Sequence, residues 1–79
     1  MLEENNLRKV SVVKFFNNRR GFGFLEPVDG SKGSDVFLHH KQCRNAFGEF
    51  IAFNEGDEVD FQLGDLGRGP IALDAFKVP

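Results

Sequence analysis

The sequence contains no tryptophan, no tyrosine, a single cysteine and only three prolines in 79 residues. With Cys43 alone, no internal disulfide can form, which excludes the stapled scaffolds common among small exported domains. No stretch approaches the roughly 20 apolar residues that a membrane span needs, and no apolar run follows a basic amino-terminal segment. These absences lead us to expect a cytoplasmic protein that makes no use of a membrane. Excess positive charge is also missing. Ten Lys and Arg stand against twelve Asp and Glu, for a formal net charge of −2, so a ligand held by bulk charge alone is not expected.

Catalytic patterns are scarce as well. No Ser-His-Asp or Cys-His arrangement has a structural frame, and Asp57, Glu58 and Asp60 read as a solvated strand face and its turn. We therefore expect no enzyme activity, no small-molecule substrate and no cofactor. His39, His40 and Cys43 are metal-ligating types. Neighbouring histidines on a strand point to opposite faces, however, and no fourth ligand has suitable spacing, so no metal is expected.

What the chain has is phenylalanine, ten of them, with nine glycines. Its length suits one domain near the lower limit for a core without staples. Residues 1–8 are polar and unpatterned and read as a flexible extension, and residues 9–79 as the domain. Strands are expected over residues 9–16, 21–26, 35–39, 58–63 and 71–78, separated by turn chemistry at Asn17-Asn18, Asp29-Gly30-Ser31, Glu55-Gly56-Asp57 and Gly67-Arg68-Gly69-Pro70. Residues 41–54 show no clean period and read as a long loop with one helical turn near 41–44. Five short strands without a convincing helix point to a small all-β barrel, since closure removes exposed edges.

Side-chain parity then separates surface rings from core rings. In Gly21-Phe22-Gly23-Phe24-Leu25 both phenylalanines share one face, and the glycines share the other with Leu25. In Val36-Phe37-Leu38-His39 the apolar pair again opposes the ring pair. If Leu25, Val36 and Leu38 face the core, then Phe22, Phe24, Phe37 and His39 face water, flanked by Lys14 and Arg20. Four rings on a solvated sheet suit the stacking of unpaired bases. Val59, Phe61 and Leu63 alternate with acidic and polar residues and should be core, along with Phe53 and Phe76. The adjacent Phe15 and Phe16 cannot both follow simple parity; a bulge could bring both to the site. At least one of Phe47 and Phe50 is expected to touch ligand.

The segments Val13-Lys14-Phe15-Phe16-Asn17, Arg20-Gly21-Phe22-Gly23-Phe24-Leu25 and Asp35-Val36-Phe37-Leu38-His39 resemble the cold-shock domain, with its two ribonucleoprotein-type motifs in order. Glu55-Gly56-Asp57-Glu58-Val59 and Gly69-Pro70-Ile71-Ala72 resemble its later segments, so the likeness covers residues 10–78. The resemblance implies a five-stranded antiparallel oligonucleotide-binding (OB) barrel. It also implies binding of single-stranded RNA and DNA as an RNA chaperone or as a regulator of transcription and translation; a closed barrel needs no partner, so a monomer is expected. By position, the base-stacking rings fall on Phe15, Phe22, Phe24, Phe37 and His39, and the basic positions on Lys14 and Arg20. Phe50 best matches a loop aromatic, and Arg68 lies where a further basic residue is common. Phe15 stands where the family usually has tryptophan, and His40 where it usually has another aromatic. The loop after His40 is longer than in compact members. With Phe16 and His40 added, these residues form the expected interface. A barrel that docks a polypeptide on the same face is the competing reading.

Overall fold

β-branched and aromatic residues give the first strand, β1 (Arg8–Asn17), enough length to serve two neighbours. The computed structural model describes residues 8–45, 47–65 and 67–78. The expected flexibility of residues 1–7 lies outside the described residues, whereas Arg8 already belongs to β1 and pairs with Asp60 at 2.7 Å. The other strands are β2 (Phe22–Leu25), β3 (Val36–His39), β4 (Cys43–Arg44), β5 (Glu58–Asp65) and β6 (Pro70–Lys77). The amino-terminal half of β1 pairs with β5, from Arg8 opposite Gln62 to Val12 opposite Glu58. Its carboxyl-terminal half pairs with β2, from Val13 opposite Leu25 to Asn17 opposite Phe22.

The sheet runs in the order β3-β2-β1-β5-β6-β4 and closes through a further pairing of β3 with β6. That closure corrects the expectation of a purely antiparallel barrel. β1 to β2, β2 to β3, β1 to β5 and β5 to β6 are all antiparallel. β3 and β6 therefore both run with β1, and they meet in parallel, with Phe37 opposite Ile71. A ring with an odd number of strands cannot alternate direction all the way round.

The region after β3 is also more ordered than a loop. A 3-10 turn occupies His40–Gln42, and β4 follows it beside β6 in parallel, with Cys43 opposite Ala75 and Arg44 opposite Phe76. Cys43 is fully buried, which fixes this segment to the barrel.

The core lies inside the ring and is built from alternate residues: Val13, Leu25, Val36, Leu38, Val59 and Phe61, closed at one end by Phe53. Phe61 is buried as its alternation predicted, and Phe53 is buried as expected. Phe76 is not fully buried; it is half-exposed, with the Arg8 guanidinium 5.7 Å over its ring. Arg8 thus roofs with its charged end a ring that the core leaves partly open.

Candidate nucleic-acid interface

A one-residue bulge in β1 decides which aromatic faces where. Val13 pairs with Leu25 and Phe15 with Phe24, so Lys14 is an extra residue between two consecutive partners. Before the bulge, Ser11 and Val13 point inward. After it the parity is reversed: Phe15 is 42% exposed, while Phe16 turns inward and packs against the core. Phe16 is half-buried, as the outer rings Phe22, Phe24 and Phe37 are, but it packs against the core. The bulge also explains a glycine. A side chain at Gly23 would overlap the Phe15 carbonyl oxygen and the Phe16 ring, so this strand position must be bare.

β2 and β3 carry the rings expected from parity. Gly23 and Leu25 are buried on one side of β2, and Val36 and Leu38 on the same side of β3. On the other side Phe22 lies 5.9 Å from Phe37, nearly stacked, and Phe24 lies 5.6 Å from Phe37, edge to face. The row continues from Phe37 to His39 at 6.5 Å and from His39 to His40 at 4.5 Å. The two histidines do not diverge as neighbours on a strand would, because the 3-10 turn begins at His40 and swings its ring back beside His39. Each ring is half-exposed or exposed, so one side of the row contacts the sheet and the other meets water.

A groove opens on each flank of this row. One, of about 560 Å³, is lined by Phe24, Phe37, His39, Lys41, Gln42, Arg68, Ile71 and Leu73. The other, of about 450 Å³, is lined by Phe16, Arg19, Arg20, Gly21, His40, Phe50 and Ile51. The histidine pair stands between them, one ring in each. Arg68 and Arg20 thus supply cations at opposite ends of the face. Arg20 is aimed by its own turn: the Asn17 side-chain oxygen accepts the N–H groups of Arg19 (3.0 Å) and Arg20 (2.9 Å). Lys14 projects from the bulge and meets Asp35 at 3.2 Å, an exposed pair that holds it beside Phe15 at little energetic cost to break. Phe50, 65% exposed, closes the far side of the second groove, with the Arg44 guanidinium 4.9 Å over its ring.

Two titratable groups here are shifted. Burial, then His40, then Lys41 lower the pKa of His39 below its usual 6.5. The neutral ring is also held in one tautomer, since Nδ1 accepts the backbone N–H of Lys41 at 3.2 Å. Burial pushes the Cys43 thiol up to about 12, which leaves it an inert core residue. Among the described residues no group of three or more His, Cys, Asp and Glu side chains is arranged to hold a metal.

The structure thus gathers Phe22, Phe24, Phe37 and His39 into one row, with Arg68 beside them. It sets His40, Arg20, Phe50 and the exposed edge of Phe16 around the adjoining groove, and leaves Phe15 and Lys14 on the bulge above Phe24. Lys41, Gln42, Ile71 and Leu73 also line the face, and strand parity gave no reason to include them. Lys41 and Gln42 arrive there in the 3-10 turn that follows β3, and Ile71 and Leu73 through the parallel contact of β3 with β6, which joins parts of the chain more than thirty residues apart. A residue directly across from Phe37 could have been named had that contact been inferred.

Comparison with known proteins places residues 9–78 in a match to the 'Cold-shock' DNA-binding domain. The sequence is 41% identical over 66 residues to the cold shock-like protein CspC of Buchnera aphidicola, covering 84% of this chain and 90% of that one. It is 43% identical over 67 residues to the cold shock-like protein CspJ of Salmonella typhimurium, covering 85% and 90%. To the cold shock-like protein CspC of Escherichia coli it is 42% identical over 66 residues, covering 84% and 90%.

Proposed function

This chain belongs to the family of 'cold-shock' DNA-binding domains, and from that premise we propose that it binds single-stranded RNA and DNA by stacking unpaired bases on its outer aromatic row. The carrying observation is the run of rings from Phe22 and Phe24 through Phe37 to His39 and His40, on a sheet whose opposite face is the core. Each base that stacks on an aromatic side chain contributes about 1–3 kcal/mol, with little dependence on base identity. Several such contacts supply most of the affinity. The cations Arg20, Arg68, Lys41 and Lys14 add phosphate contacts and orient the backbone. Phe15 extends the row at the bulge, and Phe50 covers a base entering the groove beside His40.

The protein acts by holding strands unpaired, as an RNA chaperone or a regulator of transcription and translation, and not by catalysis. Docking of a polypeptide on the same face is not favoured, because the matched family is one of DNA-binding domains. The reading includes a monomer in the cytoplasm. A barrel closed through β3 and β6 supports the first, and a lone buried cysteine fits the second. Among the described residues no helix is long and apolar enough to cross a membrane.

The test is competition. A fluorescently labelled pyrimidine strand is bound, and unlabelled single strands or duplex of the same sequence are added. Single strands should displace the label and duplex should do so poorly, because paired bases have no free face to stack. Equal displacement by duplex would show that the phosphate backbone, not the bases, is recognised, and would overturn the reading.

A further inference from the structure

Phe47 has no part in that reading, yet at 88% it is the most exposed large apolar side chain among the described residues. It sits on a hairpin that begins at Arg44 and returns at Phe50, the two residues being bridged as antiparallel partners. The turn is tied down by one side chain. The Asn45 side-chain oxygen accepts the N–H groups of Phe47 (2.8 Å) and Glu49 (3.0 Å), and its amide nitrogen donates to the Glu49 carboxylate (2.8 Å). The Asn45 main chain adds two further bonds, to the Glu49 carbonyl (2.9 Å) and from the Gly48 N–H (3.0 Å). Gly48, at φ 83°, supplies the left-handed residue that the turn requires. The ring is thus presented to water on a turn that Asn45 fixes.

We propose that this hairpin is an additional stacking site, in which Phe47 receives one base of a single strand beyond the base seated against Phe50. The inference rests on the single-strand reading above and extends its footprint. Three residues span at most about 11 Å, so Phe47 stays within reach of the neighbouring bases of one strand. The strand is drawn there by charge: Arg19 and Arg20 line the groove that Phe50 closes, and Arg44 lies on the Phe50 ring. The hairpin's own carboxylate, Glu49, accepts from the Asn45 amide. A polypeptide partner would need a contiguous apolar patch, whereas among the described residues Gly48 and the charged Glu49 separate Phe47 from Phe50 along the chain. A single flat ring suits a single flat base.

The experiment titrates labelled pyrimidine strands of increasing length, from about four to twelve nucleotides, within the roughly 4–16 nucleotides that one barrel of this kind covers. Phe47→Ala should bind the shortest strands as the wild type does and lose about five- to tenfold on the longer ones, the lower end of base stacking. Phe47→Leu should behave as Phe47→Ala does, because it keeps bulk without a flat face. Phe47→Trp should retain the length-dependent gain. Since the chain has no other tryptophan, its emission should be quenched by long strands and not by short ones. Superposed wild-type and Phe47→Ala curves at every length, an unquenched indole at saturation, or equal losses on the shortest strands would each overturn the inference while leaving the single-strand reading intact. A wild-type protein that binds no strand of any length would sink both. Thermal melting of each variant checks that the fold is kept, and a side chain this exposed has few contacts to lose.

Discussion

The rings of His39 and His40 lie 4.5 Å apart although the residues are neighbours in sequence, because the strand ends and the 3-10 turn begins between them. Burial first, then the neighbouring His40 imidazole and Lys41, disfavour protonation of His39. His39 is neutral at pH 7 and gains its proton only below its usual 6.5. The sign for stability follows from the depressed pKa. The contribution is fully present above the unfolded-state value and is lost as pH falls toward the lower folded value. The sign for binding is opposite, since a protonated ring beside a phosphate is favourable. Affinity for one oligonucleotide should therefore rise as pH falls from 8 to 5.5, with most of the rise below 6.5, while the free protein's melting temperature falls over the same interval. His39→Gln should flatten most of the binding profile. Affinity that is flat across this range contradicts the assignment.

Binding and stability should respond to different phenylalanines. Phe24→Ala removes a half-exposed ring whose main ring contact is edge to face with Phe37, so it should cost about 1 kcal/mol of stability. Its loss of binding should be about 1–3 kcal/mol. Phe61→Ala empties a fully buried site and should cost about 3–5 kcal/mol of stability, enough to unfold a domain this small. Chemical denaturation and strand titration of the same two variants check the contrast. A Phe24→Ala protein with normal affinity would remove β2 from the interface.

Gly23 links the bulge to the site. A methyl group there meets the Phe15 carbonyl oxygen and the Phe16 ring, and neither can withdraw without shifting β1. Gly23→Ala should lower stability by about 1–3 kcal/mol through overpacking, and binding should weaken because Phe15 is displaced from its place opposite Phe24. A crystal structure of the variant, or its melting temperature, checks the first effect. Unchanged stability would mean that the bulge is not held where Val13, Phe15 and their partners indicate.

Charge should play the smaller part. If about three or four phosphates are neutralised by Arg20, Arg68, Lys41 and Lys14, the logarithm of affinity should fall against the logarithm of salt with a slope of about −2 to −3. Anisotropy titrations over a salt series measure it. A slope steeper than about −6 would show that phosphate contacts, and not rings, dominate.

The face of the barrel was legible wherever strand parity stayed regular. Leu25, Val36 and Leu38 against Phe22, Phe24 and Phe37 needed only alternation, and so did Val59 and Phe61 in β5. Parity failed where an extra residue or a change of element interrupts it. Phe15 and Phe16 carry no local mark of which one the bulge at Lys14 sends outward, because that choice depends on the register with Leu25 and Phe24 across the sheet. His40 reads as the next residue of a strand until Cys43, buried two residues beyond Lys41, pulls the chain into a turn. The parallel closure was available in principle, since five strands cannot alternate round a ring. Which residues it brings beside Phe37 depends on a long-range pairing that no local pattern encodes.

That pairing has a mechanical consequence. Phe37 and Ile71 mark the seam at which the sheet is sewn into a tube, and the groove carrying Arg68, Ile71 and Leu73 on one bank and Phe37 and His39 on the other runs directly over it. A strand of nucleic acid lying in that groove acts as a splint across the seam. Occupancy and barrel integrity are then coupled, so the loaded protein resists opening at β3 and β6 more than the empty one does, and backbone amides along this join should exchange with solvent most slowly when a ligand is present.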